Sequence, residues 1–314
     1  MTPTAVYQLV DSRYTETARL HAADTGVQVT EITTGFWDEL DALLAKIDCK
    51  ILLFEDRTIA YRQYTQLQGI FSGELRPVGN GVMDLRNVKE PWEIDLMKTA
   101  NRIAEKAFLE LLNDVKPGKT EKELAARFDY LMALGGSDGV SFDTILLTGA
   151  HTSMPHGVPE NREVQKGDFV LFDFGATYRG YHSDMTRTVA VGSATAEMQA
   201  AYDLVLRAQL AGIQALQAGV PCKEVYQAAY DVLAAEDKAQ YFRHSLGHGV
   251  GLEIHEGYNA SPRSEDVYQT GNVTSVEPGI YLPDKFGIRI EDVLYLSPHG
   301  RENLSNVTKK LIVL

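Results

Sequence analysis

The segment Gln165-Lys-Gly-Asp-Phe-Val-Leu-Phe-Asp173-Phe-Gly175 has a second version further along the chain, Gln269-Thr-Gly-Asn-Val-Thr-Ser-Val-Glu277-Pro-Gly279. Each reads as a short buried strand, an apolar run bounded by glycine-containing turns. Gln165, Gly167, Asp173 and Gly175 are matched by Gln269, Gly271, Glu277 and Gly279, each 104 positions on. Working outward, Gly118, Lys122 and Glu123 return as Gly219, Lys223 and Glu224 at an offset of 101, and Gly180 and Asp184 return as Gly287 and Glu291 at 107. So slow a drift is what small loop insertions between two copies of one unit produce.

The order of elements repeats with the residues. Pro91 sits where a first-turn proline is tolerated. Behind it Leu96, Met97, Ala100, Ile103, Ala104, Ala107, Phe108 and Leu111 form one apolar helical stripe. Thr120 and Glu123 make a capping box for a second helix that carries Leu124, Phe128 and Leu131 and ends at Gly135-Gly136. Strand-like runs follow at Phe169–Phe174 and Gly180–Val191. The second copy has helical patterns at Thr195–Leu216 and Cys222–Ala235, then strand-like runs at Val273–Val276 and Gly287–Leu296. Two copies of helix–helix–hairpin predict an α+β domain with a pseudo-two-fold internal repeat.

Asp173, Asp184, Glu277 and Glu291 fall at matched positions of this repeat. Asp173 and Glu277 lie in strands whose neighbours are apolar, and an unpaired carboxylate buried there costs several kcal/mol or takes up a proton. Such acids need cations. Arg289 shares a strand face with Glu291, but one arginine cannot neutralise four acids, whereas divalent metal ions can. The histidines sharpen the reading. His244-Ser-Leu-Gly-His248-Gly-Val-Gly-Leu-Glu-Ile-His255 places three imidazoles within twelve residues. Its glycines oppose a helix and allow close backbone approach to a site. His156 stands in a similar Pro-His-Gly turn.

Length and composition bound the rest. At 314 residues two domains are expected. The first ~85 residues alternate strand and helix patterns, with strands at Val6–Val10 and Lys50–Phe54 and helices at Tyr14–Ala23 and Phe36–Ile47, as α/β layering requires. The turn-rich run Leu75–Val82 marks a boundary, giving an α/β domain over 1–85 and a catalytic domain over 86–314. Acidic residues outnumber basic ones 43 to 30, which disfavours a nucleic-acid partner. No apolar run approaches the ~20 residues that span a bilayer, Met1-Thr-Pro-Thr lacks the regions of a signal peptide, and Cys49 and Cys222 have no metal-ligand or disulfide-framework spacing. A cytoplasmic protein without membrane partners is expected.

Asp173, Asp184 in Tyr181-His-Ser-Asp-Met-Thr-Arg-Thr, His248 in Gly-His-Gly-Val-Gly-Leu, Glu277-Pro-Gly-Ile-Tyr and Arg289-Ile-Glu291-Asp together resemble the pita-bread metallopeptidases, the family of methionine aminopeptidase, prolidase, aminopeptidase P and creatinase. The resemblance covers roughly residues 90–300. It implies that Asp173, Asp184, His248, Glu277 and Glu291 hold two divalent metal ions, manganese by preference with cobalt or zinc tolerated. It further implies peptide hydrolysis by a hydroxide bridging the metals, with Glu277 as general base and His255 and His156 contacting substrate and stabilising the tetrahedral intermediate. Arg289 and Tyr281 are implied at the substrate site, Arg289 also steadying the carboxylates.

The α/β domain and the Glu-Pro-Gly-Ile-Tyr and Arg-Ile-Glu-Asp runs resemble the proline-directed branch, which implies small peptides with proline in second position as substrates. His182 departs from that branch and resembles methionine aminopeptidases. A metal-free creatinase-like hydrolase and a non-enzymatic interaction module are the competing classes, whose mark is loss of ligands. The α/β domain is shorter than the family leads one to expect and reads as incomplete. A sheet opening at Val6 presents an edge that proteins cover or pair, so a homodimer is expected.

Overall fold

Local chemistry sets the element boundaries. The computed structural model describes residues 1–314. It begins with β1 (Tyr7–Val10), α1 (Thr15–Ala22), β2 (Gln28–Glu31), α2 (Phe36–Lys46), β3 (Ile51–Phe54), α3 (Tyr61–Ile70) and β4 (Glu74–Pro77). β1 pairs with β2 and β3 with β4, both in parallel, so each pair is bridged by one helix. The run Leu75–Val82, read from sequence as a turn, is corrected in part. Its first three residues belong to β4, where Pro77 lies opposite Phe54. A proline at a strand end gives up no needed ladder donor, and the turn itself comes at Gly79, with φ of 58°. The chain divides into two compact units, Met1–Val82 and Met83–Leu314.

In the second unit, α4 (Gly81–Asn87), whose first turn contains the division, leads into α5 (Pro91–Leu111) and α6 (Glu121–Leu134). Pro91 occupies the first turn of α5, and Glu93 reaches back to accept from the Glu90 N–H at 2.7 Å. The α6 capping box forms as the sequence requires: Glu123 N–H donates to Thr120 Oγ1 at 3.2 Å, and Thr120 N–H to Glu123 Oε2 at 2.9 Å. Then come β5 (Gly139–Val140), β6 (Ile145–Thr148), β7 (Phe169–Phe174), β8 (Ala176–Tyr178), β9 (Tyr181–His182) and β10 (Met185–Ala190). β7 is the middle of the β10-β7-β6 sheet, and β8 the middle of β5-β8-β9.

The remainder comprises α7 (Ala196–Ala215), α8 (Cys222–Ala234), β11 (Gly247–Gly249), β12 (Glu256–Ala260), β13 (Val273–Val276), β14 (Gly279–Leu282), β15 (Phe286–Arg289), β16 (Asp292–Ser297) and β17 (Gly300–Asn303). The order β12-β11-β13-β16-β17 makes a five-stranded sheet beside the β14-β15 hairpin. Thus the unit combines helices with small, mainly antiparallel sheets.

Two of the strand-like runs are corrected in the same way. Gly180–Val191 is broken between β9 and β10 at Ser183-Asp184, and Gly287–Leu296 between β15 and β16 at Ile290-Glu291. At each break the chain leaves one small sheet and joins another, and an acidic residue stands at the crossing. Hydrophobic content does not reveal this, because apolar residues recur on both sides of each break, Tyr181 and Met185 at one, Ile288 and Val293 at the other. The crossings meet directly: Glu291 N–H donates to the Thr186 carbonyl at 3.1 Å, and Thr188 Oγ1 to the Arg289 carbonyl at 3.1 Å.

Burial follows the stripes. Ile103, Ala104, Ala107, Phe108 and Leu111 of α5 and Leu124, Phe128 and Leu131 of α6 pack on Val170, Phe172 and Phe174 of β7. Leu96 lies at the rim of another cluster formed by Ile94, Met97, Val250, Val273 and Val293. A third core joins α7 and α8 to β13–β16. Phe108 is fully buried, stacked on Phe174 at 5.4 Å with Phe128 a further 4.5 Å from Phe174. Truncation there removes an aromatic that its neighbours cannot replace. We expect Phe108→Ala to cost about 3–5 kcal/mol in urea unfolding, while Leu109→Ala on the exposed face of α5 costs under about 1 kcal/mol. Equal costs for the two would contradict the packing described.

Candidate metal centre

β7, the two crossings, β11 and the end of β13 deliver five candidate ligands to one place. Asp173 comes from β7, Asp184 from the β9–β10 crossing, His248 from β11, Glu277 from the residue after β13, and Glu291 from the β15–β16 crossing. Asp184, His248 and Glu291 each offer a ligand atom within 4.8 Å of the others. His248 Nε2 lies 3.5 Å from Asp184 Oδ2 and 3.4 Å from Glu277 Oε1.

The approach of β11 to β13 depends on Gly247. A Cβ there would overlap the Ser275 carbonyl, so no larger residue lets the histidine strand lie this close. Ser275 uses the closeness: its Oγ accepts from the His248 N–H at 3.0 Å and donates to Glu277 Oε1 at 3.2 Å. His248 Nδ1 is 3.1 Å from the Gly249 carbonyl. That contact holds the ring proton on Nδ1 and leaves the Nε2 lone pair facing the carboxylates. Burial, then the neighbouring His255, push the His248 pKa down to about 4, so the imidazole is neutral.

Four carboxylates share one guanidinium. Arg289 Nη2 donates to Asp173 Oδ2 at 2.5 Å, and Nε donates to Thr186 Oγ1 at 3.0 Å, which in turn donates to Glu291 Oε2 at 2.7 Å. Its Nη1 donates to Tyr281 Oη at 2.6 Å and toward the Pro155 carbonyl at 3.4 Å. Although burial opposes its charge, Tyr281 and the acids hold its pKa well above the usual arginine value. The acids are less well served. Burial, followed by repulsion from Glu291, Asp173 and Glu277, drives Asp184 well above the usual carboxylate range. Glu291 is raised by burial and by Glu277 and Asp173. Glu277 is pushed up to about 8, by burial first and then by Asp173 against the opposing pull of Arg289. A protein-only site therefore holds more negative charge than it can balance, and its oxygen-rich donor set with one imidazole fits divalent cations.

The other histidines occupy distinct places. The His255 ring lies 4.2 Å from that of His248, centre to centre. His156 follows Pro155, whose carbonyl faces Arg289. The loop carrying His156 is closed by one buried carboxylate: Glu121 accepts from the Thr148 and Glu160 N–H groups, each at 2.8 Å, and contacts His151 Nδ1 at 2.9 Å. His182 lies on β9, where its Nδ1 is 3.4 Å from Thr177 Oγ1.

Sequence reasoning quoted His244 but gave it no task. Its Nε2 is 2.9 Å from Tyr281 Oη and its Nδ1 2.8 Å from the Ser245 carbonyl. Burial and Arg289 lower its pKa to about 3, so neutral His244 accepts from the tyrosine that Arg289 donates to. Thr186 was also passed over. Its spacing of two from Asp184 was the available signal, since alternate strand residues share a face. Arg187 turns the other way and is buried, with Nη1 donating to the Glu291 carbonyl and Nη2 to Asp292 Oδ1, at 2.5 and 2.7 Å.

Comparison with known proteins agrees with this geometry. Residues 95–298 match the profile of metallopeptidase family M24. The chain is 38% identical over 76% of its length to an Xaa-Pro dipeptidase of Pyrococcus horikoshii, covering 68% of that protein. An X-Pro aminopeptidase from Thermotoga maritima superposes with a TM-score of 0.94 at 35% identity, covering 100% of this chain and 89% of the other. An Xaa-Pro dipeptidase from Bacillus anthracis superposes with a TM-score of 0.93 at 36% identity, covering 98% and 86%. By sequence and by fold, the chain belongs to metallopeptidase family M24 and has its pita-bread catalytic architecture.

Proposed function

We propose that this protein is an Xaa-Pro peptidase, cleaving the bond between an N-terminal residue and proline with the help of two divalent metal ions. The observation that carries the reading is the convergence of Asp173, Asp184, Glu277, Glu291 and His248 on one buried site whose only cation is Arg289. Relatives named as Xaa-Pro dipeptidase and X-Pro aminopeptidase support the bond specificity. With all five side chains gathered there, nothing favours a metal-free hydrolase or a non-enzymatic module.

Asp173, Asp184, His248, Glu277 and Glu291 would hold the two ions. Four carboxylates and one imidazole suit manganese, and also admit cobalt or zinc. When bound, the ions supply an activated water and polarise the scissile carbonyl. Glu277 takes the water's proton and passes it to the leaving amine. His255 and His156 contact the substrate and steady the tetrahedral carbon's oxygen. Arg289 serves by holding Asp173 and, through Thr186, Glu291, with Tyr281 set between Arg289 and His244.

The wider architecture follows from the same reading. Residues 1–85 correspond to the family's N-terminal α/β domain and 86–314 to its catalytic domain. The acid-bearing crossings at Asp184 and Glu291 support a pseudo-two-fold repeat within the latter. A homodimer is proposed, with the first unit contributing to the contact, since Ile51 and Leu53 of β3 expose apolar side chains. The two free cysteines suit a reducing, cytoplasmic setting, and the net charge of −13 argues against a nucleic-acid partner.

Four outcomes test this. Protein purified with manganese should carry close to two ions per chain by elemental analysis and lose activity in chelator; activity unchanged by chelation removes the mechanism. His248→Ala should lower both metal content and turnover. His255→Ala and His156→Ala should keep the metal and lower kcat by about 10²-fold, so a His255→Ala protein as empty as His248→Ala would overturn the division of roles. A panel of Xaa-Pro dipeptides, Xaa-Pro-Yaa peptides and Met-Ala-Yaa peptides should show cleavage only before proline, and preferred release of methionine would reassign the specificity. Light scattering should give a dimeric mass at micromolar concentration; a fully active monomer contradicts the dimer.

A further inference from the structure

Glu256 follows His255 directly in the chain, yet its side chain turns away into the protein and is only 1% exposed. Three donors converge on it. Lys89 Nζ reaches Oε1 at 2.5 Å, Arg86 Nη2 reaches Oε2 at 2.5 Å, and the Glu253 N–H donates to Oε2 at 3.2 Å. Lys89 is as buried as Glu256. Burial would raise the Glu256 pKa, but Lys89 and Arg86 outweigh it and keep the carboxylate below its ordinary value.

Arg86 lies in the last turn of α4 and Lys89 in the short link to α5, and this stretch is itself anchored. Lys89 N–H donates to the Gly271 carbonyl and Asn272 Nδ2 to the Asn87 carbonyl, each at 2.8 Å. The chain between β11 and β12 is folded tightly onto this anchor. Gly249 pairs with Glu256, Gly251 N–H donates to the Glu253 carbonyl at 3.0 Å, and the Gly251 carbonyl accepts from the His182 N–H at 2.9 Å. Gly251 lies so close to the Glu256 carboxylate and Lys89 Cε that a Cβ would strike both. The His255 ring lies 4.2 Å from that of His248, centre to centre, and no side-chain hydrogen bond holds it. Its place beside His248 is therefore set by the backbone on either side of it.

A buried ion cluster is a poor way to gain stability, because desolvating the charges offsets most of their attraction, and an apolar trio of similar volume often does as well. What charged hydrogen bonds add is direction. Two cations on separate oxygens of one carboxylate fix its plane, and with it the residue before it.

We infer that Lys89, Arg86 and Glu256 form a clamp that fixes the 249–256 turn and so positions the His255 ring against the metal centre for catalysis. Glu256, Lys89 and Arg86 are thus positioning residues that act through His255. The inference rests on the proposed contact of His255 with substrate.

A double-mutant cycle tests it on the manganese-loaded, full-length protein, with kcat, KM, metal content and thermal midpoint measured for Glu256→Gln, His255→Ala and both together. Glu256→Gln should retain its metal, lower kcat by about 10- to 100-fold and leave KM within about threefold. In the His255→Ala background the same change should cost under about twofold, because the ring it positions is gone. Lys89→Met should repeat the loss and Lys89→Arg recover most of it. Losses that multiply in the double mutant overturn the clamp while leaving His255 in its role. A His255→Ala protein with unchanged kcat removes the role of His255, and the clamp's purpose with it. Should Glu256→Gln fail to fold, Lys89→Met takes its place in the cycle; failure of both to fold makes the cluster structural and overturns the inference.

Discussion

Asp184, Glu291 and Glu277 repel one another across a buried site in which Arg289 is the only permanent cation, and that repulsion governs much of the surrounding structure. Among the acids Arg289 hydrogen-bonds only Asp173, and its pull on the other three does not offset their burial and mutual repulsion. Two of them are held from behind by the chain: Glu291 by Thr186, with its carbonyl held by Arg187, and Glu277 by Ser275. These bonds aim the oxygens without neutralising them, which is the condition a site needs if ions are to supply the missing positive charge. The apolar clusters beneath α5–α6 and α7–α8 make the arrangement affordable, since they contribute stability that the crowded acids do not.

The histidines around the acids are sorted by what lies behind each ring. His248 has its Nδ1 proton fixed by a carbonyl and offers a free Nε2 to the centre. His244 uses both nitrogens on protein partners. His255 and His156 sit on loops, each fastened by a buried glutamate outside the centre, Glu256 in one case and Glu121 in the other. Loops held at their bases by charged hydrogen bonds can present a ring to a substrate and still keep its place. The same residue type thus stands in different surroundings, set by the partner of its second nitrogen and by its backbone.

Much of the centre was legible in the sequence because its logic is one of mismatch. Asp173 within Val-Leu-Phe-Asp-Phe and Glu277 after Val-Thr-Ser-Val are acids in strands that must be buried, and their repetition at matched offsets separates them from chance. Helices announced themselves through Pro91, the Thr120–Glu123 cap and the stripe from Ile103 to Leu111. What stayed hidden depends on contacts between distant segments. The crossings at Asp184 and Glu291 are hidden because apolar strand residues resume directly after each, Met185 in one case and Val293 in the other. β4 was masked by its proline and the glycines after it, and β5 and β6 are too short to carry a period. Nothing local shows that residues 148–160 fold over Glu121. Nor does anything local show that Lys89 and Arg86 turn onto Glu256.

The central claim is that the acids of this site are in electrostatic conflict until cations join them. Its most direct measurement is the thermal stability of the metal-stripped protein and of its Asp184→Asn variant, each with and without added manganese. Asparagine keeps the shape of Asp184 and removes one of the repelling charges. The account predicts that stripped Asp184→Asn melts higher than stripped wild type, and that manganese raises the melting temperature of the wild type by much more than that of the variant. A stripped variant that melts lower than stripped wild type would contradict it, because the four carboxylates would then be adequately paired by the protein alone.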